Sequence, residues 1–158
     1  MIKLYSFLLV VFLSINSYAH QPRLNEQGDF GMSKDDPYII KDPEISKAIY
    51  STLNGAEHFY KIKSDEDFNM YAGITVAKQD DCPDEYKKFS FSIHDENFDT
   101  LHTFDGESFE WWSWYEEYGK KWYWVGPEYG AEFKSTNAFK KGTYYIKIFN
   151  TDNVGNYV

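Results

Sequence analysis

Single-residue alternation between apolar and polar side chains constrains this chain more than any other feature. Phe68, Met70, Ala72, Ile74 and Val76 fall on one side of an extended backbone, and Asn69, Tyr71, Gly73 and Thr75 on the other. Phe89, Phe91 and Ile93 alternate with Ser90, Ser92 and His94 in the same way. So do Tyr144, Ile146 and Ile148 with Thr143, Tyr145 and Lys147, just after the turn signal Lys141-Gly142. Weaker strands fit at 58–63, 98–104, 109–115, 121–125 and 156–158. The punctuation between them is acidic or glycine-bearing: Asp65-Glu66-Asp67, Asp80-Asp81-Cys82-Pro83-Asp84, Asp95-Glu96-Asn97, Asp105-Gly106 and Asp152-Asn153. Many short strands with regular turn signals predict an all-β protein, an antiparallel β-sandwich of about eight strands. One stretch, 44–53, follows another period. Asp42-Pro43 makes a cap and a first helical position, Ile45, Ala48, Ile49 and Leu53 keep helical spacing, and Asn54-Gly55 makes a stop.

The first nineteen residues read as an address. Lys3 precedes an almost wholly apolar run over 4–15, and Ser17-Tyr18-Ala19 places small residues where a signal peptidase cuts. The run is short for a membrane span of about 20 residues. The expected product is exported, periplasmic or extracellular, beginning at His20. A polar N-terminal arm over 20–37 then leads into one β-sandwich domain over 38–158. The single cysteine, Cys82, excludes an internal disulfide framework.

Charge and composition narrow the partners. With 16 basic against 25 acidic side chains the net charge is −9, which disfavours nucleic acid and anionic membranes as partners. Acidic disordered chains lack aromatic residues, whereas 20% of this chain is Phe, Trp or Tyr, so it folds. All five tryptophans lie between Trp111 and Trp124. In an extended strand Trp112 and Trp114 face one side and Trp111 and Tyr115 the other, so both faces are aromatic. A sandwich strand has one core face, so some of these rings meet solvent or a further layer. Trp112, Trp114, Tyr115, Trp122 and Trp124 are therefore the candidate ligand-binding residues, with a polysaccharide or a protein as partner. The competing reading is a loop folded over the sandwich that buries both sides.

Two stretches carry a resemblance. Gly142-Thr143-Tyr144-Tyr145-Ile146-Lys147-Ile148 and Gly155-Asn156-Tyr157-Val158 resemble the closing strands of the bacterial pre-peptidase C-terminal domain, and His58-Phe59-Tyr60-Lys61-Ile62 resembles its opening strand. That resemblance implies a secreted, jelly-roll-like accessory binding module, some relatives of which hold calcium. The chain is also similar to an uncharacterised family of exported bacterial proteins. The similarity lies at Asp42-Pro43-Glu44-Ile45-Ser46-Lys47-Ala48-Ile49-Tyr50, at Tyr115-Glu116-Glu117-Tyr118-Gly119 and at Gly126-Pro127-Glu128. It implies a strand where the helical spacing of 44–53 reads as helix, and both remain open. It also implies a last strand that continues past Val158, often toward a membrane anchor, so that a membrane is a partner only if that anchor is missing from this chain.

The remaining chemistry is sparse. No Gly-x-Ser-x-Gly elbow, His-Glu-x-x-His helix or phosphate-binding glycine loop occurs, and a non-enzymatic protein is expected. Cys82 with His94 or His102 offers only a non-specific nucleophile and base. Adjacent Glu116 and Glu117 point to opposite faces of a strand and share no site. Two metals fit the residue types. Calcium takes six to eight oxygens, which Asp80, Asp81 and Asp84 begin to supply, although turn formation and solvation explain these acids equally well. Copper fits His20, whose α-amino group and imidazole become one chelate after cleavage, a position that resembles exported copper proteins. The plainer account of His20 is a residue on a loose arm after a favourable cleavage site.

Overall fold

The computed structural model describes residues 32–79 and 88–158, together with the backbone of Gln21–Leu24. The expected signal sequence, His20 and the acidic stretch with Asp80, Asp81, Cys82 and Asp84 lie outside the described residues. Within them the chain is all-β, with thirteen strand segments and no helix. They are β1 (Gln21–Leu24), β2 (Tyr38–Ile40), β3 (Lys47–Asn54), β4 (His58–Ser64), β5 (Phe68–Met70), β6 (Ala72–Ala77) and β7 (Ser90–His94). There follow β8 (Thr100–Phe104), β9 (Trp112–Glu116), β10 (Lys121–Tyr129), β11 (Asn137–Phe139), β12 (Gly142–Phe149) and β13 (Val154–Tyr157).

The largest sheet has five strands in the order β2-β4-β12-β7-β8. Opposite it stand two three-stranded pieces, β1-β3-β13 and β6-β10-β9. Reciprocal backbone bonds of 2.8 Å between Thr75 and Val158 stitch these pieces into one surface. A short pair, β5 with β11, closes one end through the packed rings of Phe68, Phe139 and Tyr144. The result is sandwich-like, and mostly but not wholly antiparallel. β1 runs parallel to β3 and β2 parallel to β4, so the stretch expected as an arm contributes a strand.

The alternation read from the sequence sets the core. Phe89, Phe91 and Ile93 are wholly buried and join Ile146 and Ile148 from β12, Tyr60 and Ile62 from β4, and Leu53, Ile74, Val76 and Tyr157 from the facing strands. Burying one such side chain contributes about 1.5–3 kcal/mol. The expected strand over 68–76 breaks at Tyr71 into β5 and β6, yet Phe68, Met70, Ile74 and Val76 all keep their buried side. The helix that the spacing of 44–53 suggested does not form, because β1 and β13 flank Lys47–Asn54 and take up its backbone groups. Ile45, which a helix would have turned inward, is exposed.

A buried polar network crosses the sandwich. The Tyr60 and Tyr157 hydroxyls stand 2.6 Å apart, and Nδ1 of His58 lies 2.8 Å from the Tyr157 hydroxyl and 3.2 Å from Oγ of Ser51. Burial pushes the Tyr157 hydroxyl up to about 12 and Tyr60 well above its usual value, so both stay protonated. Burial lowers His58 below 6.5, and burial likewise lowers His94. For both histidines the unfolded chain then binds a proton more readily than the folded one, so their contribution is complete above pH 6.5 and declines as pH falls below it. The urea midpoint should therefore drop between pH 7.5 and pH 5.5. Replacing both histidines by glutamine should flatten that drop; an unaltered slope would assign it to other groups.

Candidate functional site

The tryptophan-rich belt folds as the β9–β10 hairpin. Trp122 pairs with Tyr115, Tyr123 with Trp114, Trp124 with Ser113 and Val125 with Trp112. Residues paired directly across an antiparallel ladder share a face, so this register divides the five candidate rings. Trp112 and Trp114 lie with the buried Tyr123 and Val125 on the outer face, the one turned away from the main core cluster. Tyr115, Trp122 and Trp124 lie with Ser113 on the face that continues, through Val76, into the core. The belt is thus two surfaces rather than one.

The outer face is largely filled from within the chain. Phe133, on the turn after β10, packs against Trp114 at 4.9 Å between ring centroids and against Trp112 and Tyr71 at 6.3 Å. Glu128 holds that turn. Its carboxylate accepts hydrogen bonds from the Tyr71 hydroxyl at 3.1 Å and from the backbone N–H groups of Glu132 and Phe133 at 3.2 and 3.3 Å. Glu132 and Phe133 both adopt positive φ, a conformation disfavoured for side chains of this size, and these bonds offset its cost. Tyr71 and Tyr123 titrate well above the usual tyrosine range, chiefly through burial, so both remain neutral hydroxyls. On this face Phe133 covers Trp114, while Trp112 keeps 45% of its surface in solvent.

The inward face is open at its tip. Trp124 packs on the core, but one rung further out Trp122 is 52% and Tyr115 38% exposed. Their ring centroids are 5.2 Å apart with planes tilted by 54°. Lys78, at the end of β6, reaches the same face because its N–H bonds the Trp122 carbonyl at 2.9 Å. Its ammonium stands 3.8 Å from the Trp124 ring centroid, 6.0 Å from that of Trp122, and donates to Oγ of Ser113 at 3.2 Å. Two exposed rings, one anchored ring, a cation and a hydroxyl therefore share one patch. Tyr118, in the hairpin turn, is 85% exposed beyond them.

Trp111 has a different task. It is buried, its indole N–H donates to the Gly106 carbonyl at 2.8 Å, and its ring lies where a Cβ on Gly126 would be. Gly126 sits in the register shift of β10 between Val125 and Glu128, so the ring seats on the bulge and fixes the base of the hairpin.

The histidines considered for catalysis are engaged structurally. His94 is buried, with Nε2 2.8 Å from Oγ of Ser92 and Nδ1 3.3 Å from the Phe98 carbonyl, and Ser92 is only 3% exposed. His102 meets the Tyr129 hydroxyl at 3.2 Å. His20 and Asp80, Asp81 and Asp84, the candidate copper and calcium ligands, lie outside the described residues. Among the described residues no three His, Cys, Asp or Glu side chains gather as a metal site. Phe133 and Lys78, which give the two faces their different character, carry no signal within the belt itself.

The fold and the patch together define a β-sandwich-like domain with an aromatic hairpin. No protein-family model matches the chain, and no curated protein matches it.

Because Gly126 leaves no room beside the Trp111 ring, Gly126→Ala should overpack the bulge and lower stability by about 1–3 kcal/mol. Chemical denaturation measures this, and an unchanged midpoint would show that Trp111 does not rest on the bulge.

Proposed function

We propose that the protein is a non-enzymatic, exported binding module that meets its ligand through the β9–β10 hairpin. The observation that carries this reading is the exposure of Tyr115 and Trp122 side by side on a face whose deeper rungs belong to the core. Large aromatic rings left in solvent forgo the gain of burial, and clusters of them mark interaction sites. The hairpin is anchored for such a role. Trp111 fixes its base, Trp124 packs on the core, and Glu116 accepts the N–H groups of Tyr118 and Gly119 to close its turn. A preset surface of this kind loses little conformational entropy on binding.

Export rests on the sequence pattern of the first nineteen residues. The jelly-roll-like character and the relation to pre-peptidase C-terminal domains rest on the strand motifs at 58–62 and 142–158. A secreted accessory module agrees with the hairpin patch, and both belong to the same proposal.

All five tryptophans lie in or beside the hairpin, so a ligand that binds there must pass close to the chain's own fluorophores. A panel of glycans and peptides titrated against intrinsic fluorescence should contain a ligand that shifts the emission. The double variant Tyr115→Ala, Trp122→Ala should lose that shift while keeping its thermal midpoint within about 2–4 °C, the range of a 1 kcal/mol change in a chain of this length. A ligand that binds the double variant as tightly as the parent chain would contradict the assignment.

A further inference from the structure

We infer that the ligand of the hairpin is an uncharged polysaccharide, held by Tyr115 and Trp122 with Lys78 and Ser113 as its polar contacts; the inference rests on the reading of the hairpin as a binding surface. Charge supports it first. The chain carries −9 overall, which opposes acidic glycans, nucleic acid and anionic lipid. Locally the balance is different. Glu110, Glu116 and Glu117 in and beside the hairpin are matched by Lys120, Lys121 and Lys78, and Lys78 is the charge on the Tyr115–Trp122 face, so the patch offers no net attraction to a cationic partner. A neutral ligand is the class that both scales admit.

Shape supports it next. The two exposed rings are tilted by 54° rather than stacked, so they do not form the parallel-walled slot that grips one flat base or ring. A sugar ring presents a face of C–H groups to one aromatic plane and a rim of hydroxyls around it. The rim needs donors and acceptors beside the rings, and the ammonium of Lys78 and the hydroxyl of Ser113 supply them on the same face. An ammonium has three donors, of which, among the described residues, the bond to Ser113 uses one.

The composition of the exposed patch argues against a protein partner. The exposed large apolar residues of the hairpin are Trp112, Tyr115, Tyr118 and Trp122, all aromatic. Among the described residues the exposed large aliphatic side chains, Ile39, Ile45 and Leu101, lie on β2, before β3 and on β8. A protein interface core is a wider apolar area than two rings provide.

The test is affinity electrophoresis of the signal-free protein in gels containing hydroxyethylcellulose, glucomannan or dextran, with alginate and polygalacturonate as acidic counterparts. Retardation by at least one neutral polymer and by neither acidic one is expected. Trp122→Ala and Tyr115→Ala should each weaken it about ten-fold or more, as removal of a central aromatic contact does. Trp122→Phe should restore part of the loss, and Lys78→Met should weaken binding several-fold. Trp112→Ala, on the other face, should change it less than about two-fold. Retardation by acidic polymers alone, or a loss in Trp112→Ala and not in Trp122→Ala, would overturn the inference. So would no retardation by any neutral polymer. In that last case, a peptide that still shifts the tryptophan emission leaves the binding reading standing; if no ligand does so, both fall.

Discussion

The seam at β13 is the constraint on which the rest of the structure depends. Without it the sheet opposite the five-stranded one is two separate pieces, β1-β3-β13 and β6-β10-β9. Thr75 and Val158 exchange both backbone bonds across the seam, and the neighbouring Tyr157 sends its side chain into the core. Its hydroxyl bridges Tyr60 of the opposite sheet and His58, while its ring packs on Phe89. One strand thus holds its own surface together and fastens that surface to the facing sheet. Because a buried hydroxyl left without a partner costs about 1–3 kcal/mol, the network also specifies a single register for β13.

The hairpin is positioned from this seam outward. β13 meets β6, β6 pairs with β10, and β10 pairs with β9. Each step carries the core face one strand further, until Trp124 and Val76 are its last packed members and Trp122 and Tyr115 lie beyond them. The exposure of those two rings follows from geometry, since β9 is the edge strand and the rung nearest the turn has the least core to bury against. The outer face took the other solution and folded Phe133 onto its tryptophans. The cost of that choice is visible in the positive φ of Glu132 and Phe133 and in the bonds that Glu128 spends on their backbone.

Much of this was legible in the residues. The alternation at 68–76, 89–93 and 144–148 named core side chains that are buried, with Ala72 and Tyr144 half-buried at their margin, and among the described residues the turns fell where acids and glycines punctuate the chain. The belt was visible as rings on both faces of one strand. What the sequence could not convey depends on neighbours distant in the chain. The helical spacing of 44–53 lost to pairing with β1 and β13, although Ser51 and Leu53 already alternate with Thr52 and Asn54 as strand residues do. β10 runs on to Tyr129, past the end expected at Val125, because a bulge absorbs Gly126 and Pro127. Which aromatic face stays open was likewise hidden. It turns on Phe133, eighteen positions after Tyr115 but folded back onto the hairpin, and on Lys78, far upstream.

The two faces of the hairpin differ, one partly covered by Phe133 of its own chain and the other left in solvent at its tip, where Tyr115 and Trp122 stand. Indole N–H resonances of nitrogen-15-labelled protein address this difference directly, since each tryptophan gives one signal. On addition of a polysaccharide that binds, the Trp122 signal should move furthest, and that of Trp111, bonded to the Gly106 carbonyl, should stay in place. Movement centred on Trp112 and Trp114 with Trp122 unmoved would contradict the account.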